Sequence, residues 1–568
     1  MIRVGNASGF YGDRFEAWRE MLTGGELDVL TGDYLAELTM LILGRDRARD
    51  PATGYAKTFL RQMESALGLA VDRGVTLVTN AGGLNPDGLA DALRALARRL
   101  GIEITVGVVT GDDLTERAAA LGLGTPLTAN AYLGAFGIAE CLRAGANVVV
   151  TGRVTDASLA LGPAIAAFGW GREDYDALAG ATVAGHVIEC GAQATGGNFS
   201  FFTELPDGGR RPGFPIAEIH ADGSAVITKH PGTGGAVTVE TVTAQLLYEI
   251  GSPAYLGPDV VTHLDTVTLR PDGPDRVRIS GARGSPPPPT VKVGVNTLGG
   301  FRNAMTFVLT GLDIPAKAAL VQAQLTEAVG PDGLEFHLAR TDQPDADTTE
   351  TASALLHVHL RDSDPARAGR AFSQAAVALA LASYPGCTLT SPPADATPFG
   401  VFTSAFLPQG AVEHVAVLPD GTRIPIPPPT TVDHEVASGN AGDVRGQPHD
   451  QPRPGGGPTR TAPLGTVAGA RSGDKGGDAN LGVWARDDAG YAWLRGFLTV
   501  DALRRLLPET APLEVERYEL PNLRAVNFVI RGLLGEGVAA STRFDPQAKA
   551  LGELLRSRLV EIPVELLR

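Results

Sequence analysis

The densest group of reactive side chains lies at residues 185–200, GHVIECGAQATGGNFS. A helix through HVIECG sets His186, Glu189 and Cys190 at i, i+3 and i+4, on one face. An imidazole beside a carboxylate is a general acid/base pair that works near neutral pH. Cys190 has two readings, a nucleophile if its pKa is lowered or a small apolar side chain packed inside. LTGDYLAELTM, residues 30–40, places Asp33 and Glu37 four apart where a strand runs into a helix. The helix dipole favours carboxylates there without any function, yet the pair also suits acid/base work or a divalent cation. TGRVTDASLALG adds Arg153 and Asp156 at another strand end. Arg153 either clamps a substrate carboxylate through two parallel hydrogen bonds or pairs with Asp156.

Other stretches offer binding rather than chemistry. VTLVTNAGGLNP, residues 75–86, contains Asn80, Gly82, Gly83 and Asn85 but no Ser or Cys. Its amides and bare backbone suit the wall of a site, with Asn80 and the Gly82 and Gly83 N–H groups as donors to an oxyanion. Asn6 closes an earlier apolar run in the same way. TKHPGTGGAVTVET joins Lys229 to Gly232, Gly234 and Gly235 ahead of a helix, which suits an anion. ARSGDKGGDANLGV, residues 470–483, gathers Arg471, Asp474 and Lys475 among glycines. That turn is either a solvated hairpin or a loop docked into a site. His357 and His359 share a strand face without further ligands nearby, so sheet packing is expected and no metal site is assigned. The chain has no G-x-x-x-x-G-K-[ST], no G-x-S-x-G and no paired C-x-x-C, so neither a nucleotide loop nor a serine-hydrolase elbow is called for.

Five runs position these residues: 3–14, 27–37, 75–86, 104–114 and 146–158. Each is apolar, ends in Gly, Asn, Asp or Thr, and leads into a helix-compatible stretch. Continuous apolar strands alternating with helices predict an α/β domain with a mostly parallel sheet flanked by helices. Ligands in such folds sit beyond the carboxyl ends of the strands, where these polar ends converge. From about residue 216 the pattern turns antiparallel, starting with a hairpin around Asp222-Gly223. The expected organisation is a main domain over 1–426, divided into a parallel α/β part (1–215) and an α+β part (216–426). A Pro/Gly-rich linker over 427–463 and a small α+β domain of ββαββα order over 464–568 follow.

Composition narrows the function. A net charge of −16 argues against a nucleic-acid partner, which would need clustered Lys and Arg. Three cysteines argue against a disulfide framework and for a reducing cytoplasm. Neither a secretory signal nor a run of apolar residues long enough for a membrane span is evident.

GNASGFYGDR, GDYLAELTM, TNAGGLNP, TANAYLGAFGI, TGRVTDASL, GHVIECGAQATGG and TKHPGTGGAV together resemble the main domain of the acyclic terpene utilisation, AtuA-like, family. RSGDKGGDANLGV resembles the signature of that family's C-terminal ferredoxin-like domain. The resemblance implies a large α/β domain followed by a ferredoxin-like one. It also implies a place in the catabolism of acyclic terpenes and related branched acids as coenzyme A thioesters. It assigns no catalytic residue. Together with the residues above, the resemblance implies an enzyme acting on a branched acyl-CoA or related carboxylic acid thioester by a lyase-type step (hydration, dehydration or retro-aldol cleavage), with the Lys229 turn holding a coenzyme A phosphate. Such a step needs an acid/base pair and oxyanion donors, with no tightly bound cofactor. The alternatives are a Cys190-dependent thioester hydrolase or acyl transferase, and a non-catalytic subunit for a partner carboxylase or dehydrogenase. A homo-oligomer is expected, because the small domain must cover one face of its sheet.

Overall fold

The computed structural model describes residues 1–434 and 457–567. The five polar-ended runs form parallel strands, β1 (Ile2–Asn6), β2 (Val29–Gly32), β3 (Thr76–Thr79), β4 (Val106–Thr110) and β5 (Val148–Thr151). They lie side by side in the order β1–β2–β3–β5–β4. Asn6 stands opposite Thr31, and Gly32 opposite Thr79, so the polar ends share one edge. Val4, Val29, Val78 and Val149 enter a core with helices Phe136–Arg143, Ser158–Phe168 and Tyr175–Ile188. Leu30, Leu77, Val148 and Val150 enter a second core with Ala17–Gly24, Lys57–Arg73 and Pro86–Leu100. Both faces are therefore covered, which is why these strands carry apolar residues at successive positions instead of alternating.

The sheet has eleven strands and is parallel only in its centre. The hairpin Pro215–Ile219 and Ala225–Lys229 turns at Gly223 (φ +82°) and lies antiparallel beside β1. Val277–Ser280 and Thr268–Pro271 continue that edge, while Val415–Val417 and Arg423–Pro425 extend the other beside β4. Antiparallel hairpins are the economical way to widen such a sheet, because they need no crossover helix.

Residues 297–401 with 539–546 form a separate compact unit. Its sheet is antiparallel, pairing residues 301–310 with Ser353–Asp362, and Ser353–Asp362 with Leu334–Ala339. Helices Ile314–Val329 and Phe372–Ala378 contribute to its core. His357 Nδ1 lies 2.9 Å from Thr306 Oγ1, and the His359 ring packs 5.8 Å from that of His337. Among the described residues no three His, Cys, Asp or Glu side chains form a metal-ligating group.

The C-terminal domain is an antiparallel sheet in the order Ala468–Lys475, Asp478–Ala485, Ala525–Ile530, Val515–Leu520. Helices Asp488–Phe497, Val500–Leu506 and Leu551–Arg556 accompany it. The first of these is absent from the sequence reading, although Asp487 caps it by accepting the Gly490 N–H at 2.7 Å. Thr459–Pro463, at the end of the stretch read as linker, pairs with Leu559–Pro563, a strand that follows the helix Leu551–Arg556. Residues 435–456 of that stretch lie outside the described residues. One face of this sheet meets the large domain of the same chain. Trp484 stacks on Phe199 at 6.3 Å, and a Cβ on Gly473 or Gly482 would stand 2.4 Å from Tyr248 or 2.6 Å from Leu247. The face that was expected to need a second copy is thus covered by its own chain, and that ground for a dimer falls away. Among the described residues no helix is long and apolar enough to cross a membrane.

Candidate active site

The polar strand ends form the base of a recess. Asp33 follows β2 and is 5% exposed. Its carboxylate accepts hydrogen bonds from Asn80 Nδ2 (2.6 Å) and the Leu35 N–H (3.0 Å). Asn80 Oδ1 accepts the Tyr34 N–H at 2.8 Å, so both ends of the amide are committed. Asn80 is therefore a clamp between Asp33 and Tyr34, and it is fully buried. Gly83 (φ +53°) donates its N–H to the Asn80 carbonyl, and a Cβ on Gly82 would stand 2.4 Å from the Thr151 carbonyl oxygen. These glycines serve the turn. Asn85 caps the helix Pro86–Leu100 by accepting the Gly88 N–H at 2.9 Å.

The helix Tyr175–Ile188 runs through the core and is buried from Leu178 onward. A Cβ on Gly180 would stand 2.1 Å from the Gly223 carbonyl oxygen, which explains its run of small residues. At the C-terminal end His186 Nδ1 lies 3.1 Å from Glu189 Oε1, with the two side chains 3% and 7% exposed. Asn6, at the end of β1, donates to the Ile188 (2.6 Å) and Glu189 (2.9 Å) carbonyls. It is a positioning residue, holding the helix end against the sheet. His186 Nε2 and Glu189 Oε2 are buried and make no well-formed hydrogen bond, although the Leu246 backbone interacts with the His186 imidazole. Unpaired buried polar atoms are costly, and two within one acid/base pair mark a place completed by a ligand or water.

Arg153, after β5, stacks 4.1 Å above the Tyr132 ring and donates to the Leu35 carbonyl at 2.8 Å. It also forms an ion pair with Asp156 at 2.9 Å. Of the two sequence readings, pairing is the one observed, through Asp156 Oδ1, while Arg153 Nε makes no hydrogen bond. Its backbone N–H is accepted by Asp112 at 2.8 Å.

The fourth wall comes from the C-terminal domain. Its first hairpin turns at Gly476 (φ +69°) and carries Lys475 to the recess, where Nζ donates to the Glu249 carbonyl at 2.9 Å. Glu249 is held at φ +57°, a conformation disfavoured for a residue with a Cβ. Asn480 Oδ1 accepts its N–H at 2.8 Å, and Asn480 Nδ2 in turn donates to Asn527 Oδ1 at 2.6 Å. Arg471 stacks 4.2 Å over Tyr248 and donates to Gln193. Tyr255 packs 5.3 Å from the His186 ring and 5.9 Å from Lys475 Nζ. Lys292 lies 4.7 Å from the Tyr132 ring centroid and 3.9 Å from Glu37.

This crowding shifts the acids and bases together. Burial, and then Asp156, push Asp33 and Glu189 well above the usual carboxylate range. Glu249 is also raised, by burial against the opposing bond from Tyr248. Asp474 is pushed up to about 8 by burial and by Glu249 and Glu37. His186 is lowered to about 4, mainly by burial. Burial lowers Lys475, and the Lys292 ammonium lowers it further. Lys292 itself is raised, because Tyr132 and Glu37 outweigh its burial. Cys190 is raised well above the ordinary thiol value by burial and then Glu189, opposite to what a nucleophile needs. Lys475, Asp474, Glu37, Asp156, Lys292 and Tyr255 nevertheless keep access to solvent. Groups both reachable by water and hemmed in by protein line a recess, not an outer surface.

The structure thus brings Asp33, Glu37, Arg153, Asp156, His186, Glu189, Cys190, Asp474 and Lys475 together. It leaves out the Lys229 turn. Lys229 Nζ is engaged by Asp275 (3.0 Å) and the Thr233 carbonyl (2.8 Å), and Gly235 packs on the Thr195 carbonyl. The following helix is closed by the Thr238–Thr241 capping box, so the turn with Gly232 and Gly234 is a structural corner and not a phosphate cradle. Sequence reading missed Tyr132, Glu249, Tyr255 and Lys292. Lys292 alone left a signal, a cation inside the apolar strand segment TVKVGVN.

Fold and site define an α/β protein whose strand-end recess is completed by a hairpin of its own ferredoxin-like domain. The family model described as acyclic terpene utilisation family protein AtuA matches residues 2–418, and that of the AtuA ferredoxin-like domain matches 462–561. The chain belongs to the acyclic terpene utilisation AtuA family. A comparison with curated proteins found no match.

Proposed function

We propose that the protein is a lyase-type enzyme that moves a proton at a branched carboxylic acid or its thioester, in a hydration, dehydration or retro-aldol step. The observation that carries this reading is the buried His186–Glu189 pair with its unpaired Nε2 and Oε2 atoms beside a water-accessible recess. Burial favours the uncharged form of both partners, a neutral imidazole next to a carboxylic acid. In that form Nε2 can give up a proton while Glu189 replaces it through Nδ1, and the reverse motion takes a proton in. Such a relay keeps the imidazole neutral throughout and leaves a single negative charge on Glu189, which the reverse motion removes.

Negative charge developing on a carbonyl oxygen would be met by Lys475 or Lys292, a role the sequence reading gave to Asn80. A coenzyme A moiety has no cradle at the Lys229 turn, so the recess itself carries the recognition and the acid portion is the part bound. The family's place in acyclic terpene utilisation agrees with a branched acid. The environment of Cys190 weighs against the thioester-hydrolase reading.

The test is hydrogen exchange in D2O, followed by NMR, on 3-methylbutanoate, 3-methylbut-2-enoate and their coenzyme A thioesters. Deuterium should enter next to the carbonyl of at least one, and exchange should fall by about 10²–10⁴ in Glu189→Gln. No exchange into any of the four by folded protein would refute the proposal.

A further inference from the structure

The recess contains an amine that the proton-transfer reading does not require to react. Only six of the 48 basic residues of this chain are lysine, and two of the six, Lys292 and Lys475, stand in the same recess. A chain that uses arginine almost everywhere else has lysine at these two places, Lys292 beside Glu37 and Tyr132 and Lys475 beside Glu249 and Tyr255. Arginine supplies charge and hydrogen bonds as well as lysine does, but it cannot lose its proton and act as a nucleophile.

Geometry separates the two lysines. Lys292 lies 3.9 Å from Glu37 and is held over the Tyr132 ring. Lys475 makes no ion pair within 4.0 Å among the described residues, and its one hydrogen bond goes to the Glu249 carbonyl. A carbonyl oxygen also accepts from a neutral amine, though more weakly than from an ammonium, so this bond does not require the charged form. The side chain is exposed to solvent within the recess, and its root is held by the hairpin pairing of Lys475 with Asp478.

We propose that Lys475 is a nucleophilic amine that condenses with a ketone or aldehyde carbonyl of the substrate, which is then an oxo acid whose carboxylate is held by Lys292. This rests on the recess being the substrate site and narrows the substrate within that reading. The Nζ lone pair attacks the carbonyl carbon, forming a C–N bond. The π pair moves to oxygen, which takes a proton from the nitrogen to give a carbinolamine. One proton from the Glu189–His186 pair converts the hydroxyl into water as it leaves, and the nitrogen lone pair forms the protonated imine. Amine, carbonyl compound and one proton become iminium and water, so no other reactant is needed. The iminium then accepts the electron pair of a breaking C–C or C–H bond, the demand of a retro-aldol or proton-abstraction step. The environment supports a neutral amine, since burial and then the Lys292 ammonium lower Lys475.

The experiment incubates the full-length protein at pH 7 with 4-oxopentanoate and sodium cyanoborohydride, then maps adducts by peptide mass spectrometry. The reduced adduct is expected on Lys475 at least tenfold faster than on Lys57, Lys317 or Lys549. Lys475→Met should lose that adduct and keep the others, but the wild-type map alone decides the outcome. Labelling of Lys475 no faster than of the other three, or none at Lys475, overturns the proposal. Deuterium exchange dependent on Glu189 in the absence of a Lys475 adduct would remove the imine and leave the proton-transfer reading standing.

Discussion

Replacing Asp112 by Asn tests whether the strand-end crevice is as dry as its hydrogen bonds imply, and it needs no substrate. Asp112 is 2% exposed, and one of its oxygens accepts both the Arg153 N–H and Asn130 Nδ2 at 2.8 Å. Burial is the main cause that pushes its carboxyl from 3.8 to about 7. The folded protein therefore keeps a proton between pH 3.8 and 7 that the unfolded chain has already released. Stability is unaffected by this group below pH 3.8, falls by about 1.4 kcal/mol per pH unit across that window, and is fully reduced above pH 7. The whole effect is about 4 kcal/mol, an upper bound because water relaxes around buried acids. An asparagine has the same shape, and its single oxygen can accept both bonds. Asp112→Asn should thus stabilise the protein by about 4 kcal/mol at pH 8 and by only about 1.5 kcal/mol at pH 5. For a unit of several hundred residues that is a rise of about 4 °C in melting midpoint at pH 8 and about 1.5 °C at pH 5. Paired thermal melts of the two proteins at both pH values cancel every other titrating group. A shift equal at both pH values, or a lower midpoint at pH 8, would refute the reasoning.

Other outcomes follow from the same geometry. Asn480→Ala strips the Glu249 N–H and Asn527 Oδ1 of their partner. It should cost about 2–4 kcal/mol, read as a lower melting midpoint, and an unchanged midpoint would mean the hairpin is not held as described. Gly473→Ala places a Cβ 2.4 Å from Tyr248 and should destabilise by about 1–3 kcal/mol, whereas Gly496→Ala, with nothing within 4 Å, should not destabilise. Equal melting of the two variants would argue against close docking of the C-terminal sheet. Cys190 should react with iodoacetamide at pH 7.5 more slowly than a free thiol, and Cys190→Ser should retain proton exchange. Loss of exchange in that variant would restore the cysteine to the mechanism.

What the sequence by itself determined is local. The five polar-ended apolar runs became five adjacent parallel strands, because a strand buried on both faces needs only its own contiguous residues to be recognised. The hairpin at Gly223 and the i, i+3 pairing of His186 with Glu189 are equally short-range. Asn80 and Lys229 show where that reasoning stops. Their residue types suit an oxyanion or a phosphate, but whether a polar side chain is free depends on what folds against it. Asp33 reaches Asn80 from 47 positions away, and Asp275 reaches Lys229 from the far side of a hairpin. Lys475 meets the Glu249 carbonyl across 226 residues. That contact exists because Gly473 and Gly482 let the C-terminal sheet approach Tyr248 and Leu247 closely. Glu249 and Tyr255 lie in unremarkable stretches of sequence, and only long-range packing gathers them with Lys292 around a shared recess. Strands and turns are decided by neighbours in the chain. The site is decided by burial, which sets both its partners and their protonation.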